Sequence, residues 1–354
     1  MIRHAVSLLF LLTTLSLCVY PKAQGEETPL TQTFTAVADA TVWPNLTRLP
    51  DGTLLLAGFE EPSHGQVEGD VGCWVSDDEG LTWKKQGTLT EHAPKTVRMN
   101  QAVGLDADGK LIALVGGWTD VQQPDAPKRN IFRDAILRPW VCQSDDGGKT
   151  WRKHENFPAD ELGRELVAFG DIVVSDEGRL NASAYATLYY DKPGKPTAYF
   201  LVSEDGGASW KVRAPIAEGH NECSLLYLGD GEWLAAVRAS GCNLFRSTDD
   251  GATWTQVFEL GERKQHPAHL LKLKDGRIVV TFGDRRPGHF GIRARISEDK
   301  GETWSAPHYV ATMPEWDGGY PASVERADGT VLTLFYSKSG ESYSVQGAVW
   351  SVPE

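Results

Sequence analysis

Five copies of one eight-residue motif constrain the fold of this chain more than any other feature. Each copy follows the pattern S-x-D-x-G-x-[TS]-W, and the copies begin at Ser76, Ser144, Ser203, Ser247 and Ser297. The aspartate can fold its carboxylate onto backbone N–H groups, the glycine can adopt a positive φ, and the tryptophan can cover the turn. The motif therefore predicts a rigid turn between two β-strands. Its recurrence at a period of tens of residues indicates a repeat architecture.

A second repeat lies between these copies: two apolar runs joined by a short turn that ends in glycine. The turns are Asp51-Gly52, Asp108-Gly109, Glu177-Gly178, Asp230-Gly231, Asp275-Gly276 and Asp328-Gly329. Asp-Gly between β-rich runs is a preferred hairpin turn. The spacing of these turns suits a four-stranded propeller blade with its loops. Six hairpins predict an all-β fold, a six-bladed β-propeller.

The last repeat lacks the eight-residue motif and therefore lacks an outer strand. Residues 346–350 are its candidate third strand, and residues 32–37 from the N-terminal end are predicted to supply the fourth. This arrangement would tie the ring shut and cover an exposed sheet edge. We expect residues 26–354 to form one propeller domain.

The first 25 residues have the pattern of a secretory signal. Arg3 and His4 precede an apolar stretch over residues 5–20, and small residues follow near residue 25. This predicts a secreted or periplasmic protein without a membrane span. The formal net charge of −13 disfavours nucleic acid and anionic membranes as partners. Export permits disulfides, but the spacing of the cysteines does not give their pairing.

The repeat also locates the candidate site, because propellers usually bind ligands on the central axis, where the first strand of each blade begins. The residues nine positions before each hairpin glycine are Trp43, Asn100, Phe169, Glu222, Pro267 and Tyr320. Taken singly, Tyr320 could be a strand aromatic and Glu222 a solvated rim charge. Together, a carboxylate could take the proton of the phenol and make it a nucleophile.

With these motifs, six blades and a Tyr/Glu pair, the chain resembles the sialidase (neuraminidase) superfamily over nearly all of its length after residue 25. Residues 318–324 are similar to the family's tyrosine segment and residues 221–225 to its glutamate segment. In that family a Tyr–Glu couple forms the nucleophile, an arginine triad binds the sugar carboxylate, and an aspartate acts as acid/base. The resemblance implies Tyr320 and Glu222 as the couple.

The resemblance also implies substrate-binding arginines. Arg238 lies on the strand after Glu222, where the family carries a triad arginine, and Arg293 or Arg285 precedes the fifth motif copy. Val42 stands where the first triad arginine is expected, and Arg98 is the candidate substitute. Guanidinium groups bind carboxylates bidentately and stay charged, so converging arginines would favour an anionic sugar.

The acid/base aspartate of the family comes from the loop after the first hairpin of blade one. In this chain that loop contains Asp70, which we expect to take the role, with Glu61, His64 and Glu68 as alternatives.

Together these features predict a secreted sialidase-like glycoside hydrolase that releases a terminal acidic sugar from a glycan. No phosphate loop or dinucleotide fingerprint is present, so no cofactor is expected. His266 and His269 could join a carboxylate in binding a metal, but their spacing matches no strong metal motif, and no metal site is expected. Two alternatives remain open: a polysaccharide lyase acting on uronate-containing glycans, and a non-catalytic propeller that binds glycans or proteins.

Overall fold

A computed structural model describes residues 31–40, 43–121, 132–157, 162, 165–186 and 195–353. The predicted signal segment and Val42 lie outside these residues.

The described strands form six four-stranded antiparallel blades, as the two repeats predicted. The strands of blades one to three are β2 (Asn45–Arg48), β3 (Leu54–Phe59), β4 (Val71–Ser76), β5 (Lys84–Thr88), β6 (Thr96–Leu105), β7 (Leu111–Thr119), β8 (Ile136–Ser144), β9 (Arg152–His154), β10 (Val167–Val174), β11 (Leu180–Ala186), β12 (Thr197–Ser203) and β13 (Lys211–Glu218). Those of blades four to six are β14 (Cys223–Gly229), β15 (Glu232–Arg238), β16 (Cys242–Ser247), β17 (Thr255–Gly261), β18 (Gln265–Lys272), β19 (Ile278–Asp284), β20 (Gly291–Ser297), β21 (His308–Thr312), β22 (Gly318–Glu325), β23 (Val331–Ser339), β24 (Ser342–Trp350) and, from the N-terminal end, β1 (Thr31–Ala38). One 3₁₀ turn, Asp176–Gly178, connects β10 and β11.

The outermost strand is the most exposed strand of each blade. In blade one, for example, every residue of β3 and β4 is buried, whereas the outer strand β5 is mostly exposed. Neighbouring blades pack through apolar side chains: Leu54 and Leu56 lie in one cluster with Leu332 and Leu334 of blade six. Much of the hydrophobic core therefore lies between neighbouring blades, and one further cluster surrounds Tyr320.

The ring closes in the predicted way. The first strands of successive blades, β2, β6, β10, β14, β18 and β22, contact one another in order, and β22 contacts β2. The first strands of blades two and three also pair in parallel, which joins these blades into one eight-stranded sheet. At the closure, β1 pairs antiparallel with β24, and Thr31 lies opposite Trp350. The fourth strand of the last blade therefore comes from the N-terminal end, as predicted.

The eight-residue motif forms the turn between the third and fourth strands of blades one to five, and its bonds are those expected. In the second copy, Asp146 Oδ1 accepts from Thr150 N at 3.0 Å and Asp146 Oδ2 from Thr150 Oγ1 at 2.6 Å. Gly148 N donates to Ser144 Oγ at 2.9 Å, and Trp151 Nε1 donates to Gly148 O at 3.1 Å. The hydrogen bonds from Thr150 lower the pKa of Asp146 to about 2.

Strand direction alternates within a blade, so three kinds of segment lie at one end of the ring. They are the start of each first strand, the loop between second and third strands, and the segment that enters the next blade. We call this end the funnel face. The Asp-Gly hairpins and the eight-residue motifs lie at the opposite end, which separates the structural turns from the candidate site.

The four cysteines of the described chain are all unpaired and buried: Cys73, Cys142, Cys223 and Cys242. Burial raises the pKa of the Cys73 thiol to about 11, so this thiol stays protonated at neutral pH. The described propeller is therefore held together by packing and hydrogen bonds.

Among the described residues, no helix has both the length and the apolar character needed to cross a lipid bilayer.

Candidate active site

Breaks in strand pairing lie beside four of the six positions found by counting from the hairpin glycines. Irregular register occurs in the first strands of blades two, three, five and six, close to the positions nine residues before the hairpin glycines. Such bulges redirect a side chain out of the normal alternation of a strand. Tyr320 has a φ of 56° and Asn100 a φ of 62°, which is uncommon for residues other than glycine. Backbone strain of this kind is frequent at functional sites.

Tyr320, Glu222 and Arg238 form one hydrogen-bonded group. The Tyr320 hydroxyl donates to Glu222 Oε1 at 2.7 Å. Arg238 Nη1 donates to Glu222 Oε2 at 2.5 Å and to the Tyr320 hydroxyl oxygen at 2.8 Å. Glu222 therefore accepts a hydrogen bond from each partner, and its carboxylate is in position to receive the phenol proton.

The hairpin of blade four explains why Glu222 and Arg238 meet. Arg238 N donates to Glu222 O at 2.8 Å, so the two residues face each other across the Asp230-Gly231 turn. Arg238 ends β15, and Glu222 lies immediately before β14. Glu222 and Arg238 are 16 positions apart in the sequence but form a direct cross-strand pair in the structure.

Burial and the negative charge of Glu222 together raise the pKa of Tyr320 to about 12, although Arg238 and Arg285 oppose the shift. At neutral pH the side chain is thus a phenol rather than a phenolate. It can act as a nucleophile only if its proton leaves as the new bond forms, and Glu222 is placed to accept that proton.

A second guanidinium lies against Tyr320. The Cζ atom of Arg285 is 5.1 Å from the centroid of the Tyr320 ring, and its Nε donates to Gly318 O at 2.9 Å. Within the described residues, Arg285 Nη2 has no hydrogen-bond partner. Burial together with Arg238 and Arg285 lowers the pKa of the nearby His266 to about 3, so this histidine is neutral. Two guanidinium groups, those of Arg238 and Arg285, therefore lie beside the Tyr320 side chain.

The other two candidate arginines are placed elsewhere. The Cζ atom of Arg293 lies 3.0 Å from the ring centroid of Tyr309, and its Nε is 3.5 Å from Asp284 Oδ2. Arg98 Nη1 donates to Arg138 O at 3.0 Å, and its guanidinium stacks 3.7 Å from the ring centroid of Trp140. Of the two arginines before the fifth motif copy, Arg285 is thus the one that packs on Tyr320.

Asp70 lies in a separate group of blade one. Its Oδ1 accepts from Thr90 Oγ1 at 2.8 Å, and its Oδ2 lies 2.7 Å from His92 Nδ1. The bond to Asp70 raises the pKa of His92. Glu68, an alternative from the same loop, accepts from Lys95 N at 2.7 Å.

His64, another alternative from this loop, reaches the rings around Tyr320. Its ring centroid is 5.3 Å from that of Trp43, and Trp43 lies 6.1 Å from Tyr320. Tyr336 also contacts both, at 6.2 Å from His64 and 5.7 Å from Tyr320. Phe169 packs on another side of Tyr320 at 5.8 Å.

Three residues near the site were missed by the sequence interpretation: Asp317, Tyr336 and Tyr343. The Tyr336 hydroxyl donates to Asp317 Oδ1 at 2.7 Å, and the Tyr343 hydroxyl to Asp317 Oδ2 at 2.8 Å. The only sequence signal was the position of Asp317, three residues before Tyr320. Both tyrosines lie beyond the hairpin turn of blade six.

The histidines considered for a metal do not form one site. His269 Nε2 lies 3.1 Å from Asp171 Oδ2, whereas His266 lies near the arginines. In the described part of the chain, no three His, Cys, Asp or Glu side chains are grouped so that they could hold a metal ion.

Comparison with known proteins gives related sequences and folds. A sialidase of Bacteroides fragilis (strain YCH46) is 24% identical over 302 residues, which cover 76% of this chain and 54% of that protein. A solved structure of a protein of unknown function from Dyadobacter fermentans DSM 18053 is similar with a TM-score of 0.75 at 23% identity, and the match covers 91% of this chain and 99% of that one. Trypanosoma rangeli sialidase in complex with 2,3-difluorosialic acid, a covalent intermediate, gives a TM-score of 0.70 at 16% identity over 91% of this chain and 58% of that one.

The chain thus spans about half the length of the Bacteroides relative. At these identities the solved structures show a shared propeller fold. Residues 32–333 match the family described as BNR repeat-like domain. The chain therefore belongs to the family of BNR repeat-like domains, within the sialidase superfamily.

Proposed function

We propose that this protein is a sialidase-like glycoside hydrolase that releases a terminal acidic sugar from a glycan. The observation that carries the proposal is the hydrogen bond from the Tyr320 hydroxyl to Glu222 Oε1, within reach of Arg238. A tyrosine that acts with a carboxylate is the arrangement by which sialidases depart from the usual two-carboxylate glycosidases.

The chemistry proceeds in two displacements. In the first, the Tyr320 oxygen attacks the anomeric carbon while its proton passes to Glu222 Oε1. The bond to the leaving oxygen breaks as this oxygen takes a proton from the acid/base residue, and a glycosyl–tyrosine forms. In the second, water attacks the same carbon and returns a proton to the acid/base residue, while the Tyr320 oxygen leaves and recovers its proton from Glu222. Arg238 contacts both residues and would stabilise negative charge on the phenol oxygen as it develops.

Arg238 and Arg285 support an anionic sugar. Both lie beside Tyr320, and both add to the effect of burial in lowering the pKa of His266, in a chain whose net charge is −13. A neutral phenol nucleophile also avoids the repulsion that a carboxylate nucleophile would meet from an acidic substrate. Together the two guanidinium groups would hold the sugar carboxylate. Arg98 and Arg293 would then contribute through the packing of blades two and five.

The remaining parts of the proposal rest on sequence alone. The N-terminal segment supports secretion. Asp70 is the predicted acid/base, although its two oxygens are engaged by Thr90 and His92. In the lyase alternative, a base would remove a proton beside a uronate carboxylate, and the unsaturated product would absorb in the ultraviolet.

The test uses a fluorogenic sialic-acid glycoside with the parent protein, Tyr320→Phe and Tyr199→Phe. Tyr199 lies on β12 in blade three and is a matched control for loss of a phenol hydroxyl. Release by the parent and Tyr199→Phe, but not by Tyr320→Phe, supports the hydrolase. Full turnover by Tyr320→Phe would overturn the mechanism. An ultraviolet-absorbing product from a uronate polymer, without release from any sialoside, would replace it with the lyase.

A further inference from the structure

A histidine–carboxylate pair lies on the funnel face beside Tyr320, outside the Tyr–Glu couple. His64 comes from the loop between β3 and β4 of blade one, and Asp317 lies in the segment that enters blade six. His64 Nδ1 is 3.2 Å from Asp317 Oδ1, an ion-pair contact. The two residues are far apart in the sequence and meet because blades one and six are neighbours where the ring closes.

Asp317 is held as a fixed carboxylate. Its two oxygens accept from the buried hydroxyls of Tyr336 and Tyr343. Burial favours the neutral acid, but the contact with His64 and the two tyrosine bonds outweigh it and hold the pKa of Asp317 well below its usual range. A carboxylate that stays ionised cannot donate a proton. It can orient an imidazole and stabilise the imidazolium, as the aspartate of a catalytic triad does.

The imidazole is open on its other side. His64 Nδ1 is buried 3.2 Å from Asp317 Oδ1 and makes no hydrogen bond within the described residues, yet 35% of the side-chain surface is exposed. Within the described part of the chain, Nε2 makes no hydrogen bond. Since Trp43 and Tyr336 each contact both His64 and Tyr320, the imidazole and the phenol border the same part of the funnel face.

Asp70, the acid/base residue expected from the sequence, lies in a different environment from His64. Both of its oxygens act as acceptors within blade one, and His92, whose pKa is raised by this contact, is its partner. A carboxylate whose two oxygens are already engaged by Thr90 and His92 has no free oxygen to offer a leaving group. The side chain in this loop that combines a carboxylate neighbour with access to the funnel face is therefore His64.

We propose that His64, positioned by Asp317, supplies the acid/base step of the reaction. As the Tyr320 oxygen bonds to the anomeric carbon, the glycosidic C–O bond breaks and its electron pair stays on the leaving oxygen, which takes the proton from His64 Nε2. The neutral imidazole then accepts a proton from the attacking water, which returns it to its starting state. This role rests on the proposed glycosidase activity.

Leaving-group dependence tests the role directly. The substrates are a 4-nitrophenyl sialoside, whose leaving group departs without protonation, and an alkyl sialoside, whose leaving group requires it. The proteins are the parent, His64→Gln, Asp317→Asn, Asp70→Asn and His289→Gln. His289 is an exposed histidine of the loop between β19 and β20 and serves as the matched control.

For His64→Gln we expect kcat/KM on the alkyl sialoside to fall by about 100- to 10,000-fold, the usual contribution of general acid catalysis, and kcat/KM on the nitrophenyl sialoside to fall by less than about tenfold. Asp317→Asn should also lower kcat/KM more on the alkyl sialoside than on the nitrophenyl sialoside, but by a smaller factor than His64→Gln. Azide, a nucleophile that needs no base, should increase kcat of His64→Gln on the nitrophenyl sialoside. His289→Gln should match the parent.

The other outcomes separate the two proposals. A parent that hydrolyses neither sialoside overturns the proposed function and this role together. If the parent is active and His64→Gln loses both substrates equally, or neither, the acid/base role is wrong while the glycosidase stands. Selective loss of the alkyl substrate in Asp70→Asn alone would give the role to Asp70 instead. Equal melting temperatures of the variants exclude unfolding as the cause.

Discussion

Tyr320 and Glu222 are 98 positions apart in the chain and lie in blades six and four, yet their side chains meet at 2.7 Å. Neither blade could form this contact alone. The pair exists because the ring brings the first strands together at the axis, and because a register break at Tyr320 turns its side chain toward the funnel face. The contact is thus a product of the whole propeller.

Removal of the proton acceptor should disable the nucleophile. Glu222→Gln keeps the size of the side chain but cannot take the phenol proton, and the pKa of Tyr320 is raised to about 12. We expect kcat to fall by about 100- to 10,000-fold, the range of general base catalysis. Steady-state kinetics on a sialoside that the parent hydrolyses provides the measurement. A loss of less than about fivefold would mean that Glu222 does not activate Tyr320.

The two arginines before the fifth motif copy should behave differently. Arg285→Met should raise KM by roughly 10- to 100-fold, since a hydrogen bond to a charged group contributes about 1.5–3 kcal/mol. Arg293→Met should mainly lower the melting temperature, because its guanidinium packs over Tyr309 and beside the fully buried Asp284. The two variants are compared by KM and by thermal unfolding. The reverse pattern would assign the substrate carboxylate to Arg293.

The motif turns should stabilise the propeller in a pH-dependent way. The folded-state pKa of Asp146 is about 2, below its ordinary value of 3.8, so its contribution is present above about pH 4 and is lost as pH falls toward 2. Asp146→Ala should cost roughly 1–3 kcal/mol at neutral pH, because several hydrogen bonds of about 1 kcal/mol are lost. The control Asp145→Ala should cost less than about 0.5 kcal/mol of stability, because Asp145 is exposed and its ion pair with Arg152 lies at the surface.

Urea unfolding at a series of pH values from 7 to 2.5 measures both variants against the parent. The difference for Asp146→Ala should shrink as the solution becomes acidic. A difference that is independent of pH would show that the turn carboxylate is not stabilised by its charge.

The closure of the ring predicts a specific clash. A Cβ atom added at Gly347 on β24 would lie 2.3 Å from a ring atom of Phe34 on β1. Gly347→Ala should therefore destabilise the propeller by about 1–3 kcal/mol, as overpacking usually does. Phe34→Leu should relieve much of this loss, so the double variant should be more stable than the sum of the single effects. Strict additivity would mean that β1 does not pack on β24 in solution.

The fold was predictable because its signals are local and repeated. Each Asp-Gly turn specifies one hairpin, each eight-residue motif one outer turn, and the missing sixth copy indicated the N-terminal strand that completes the last blade. Counting from the hairpin glycines found Tyr320 and Glu222 for the same reason. Arg238 was implied by the family resemblance, and the structure adds that residues 222 and 238 face each other across one turn.

The rest of the site depends on loops, where no repeat applies. Arg285 and Arg293 both precede the fifth motif copy. Arg285 packs on Tyr320 because β19 ends at the residue before it, whereas Arg293 lies within β20. Similarly, His64 and Asp70 share one loop, and their different partners come from other segments. Asp317 was not predicted because its partners, Tyr336 and Tyr343, lie in β23 and β24 and are ordinary strand aromatics by sequence.

Covalent trapping tests the central claim most directly. The parent protein is incubated with an activated 2,3-difluorosialic acid, whose second displacement is slow, and is then digested and analysed by mass spectrometry. The account predicts a sugar adduct on the peptide that contains Tyr320, and its absence in Tyr320→Phe. An adduct on a residue other than Tyr320 would contradict this account. So would an adduct that persists in Tyr320→Phe.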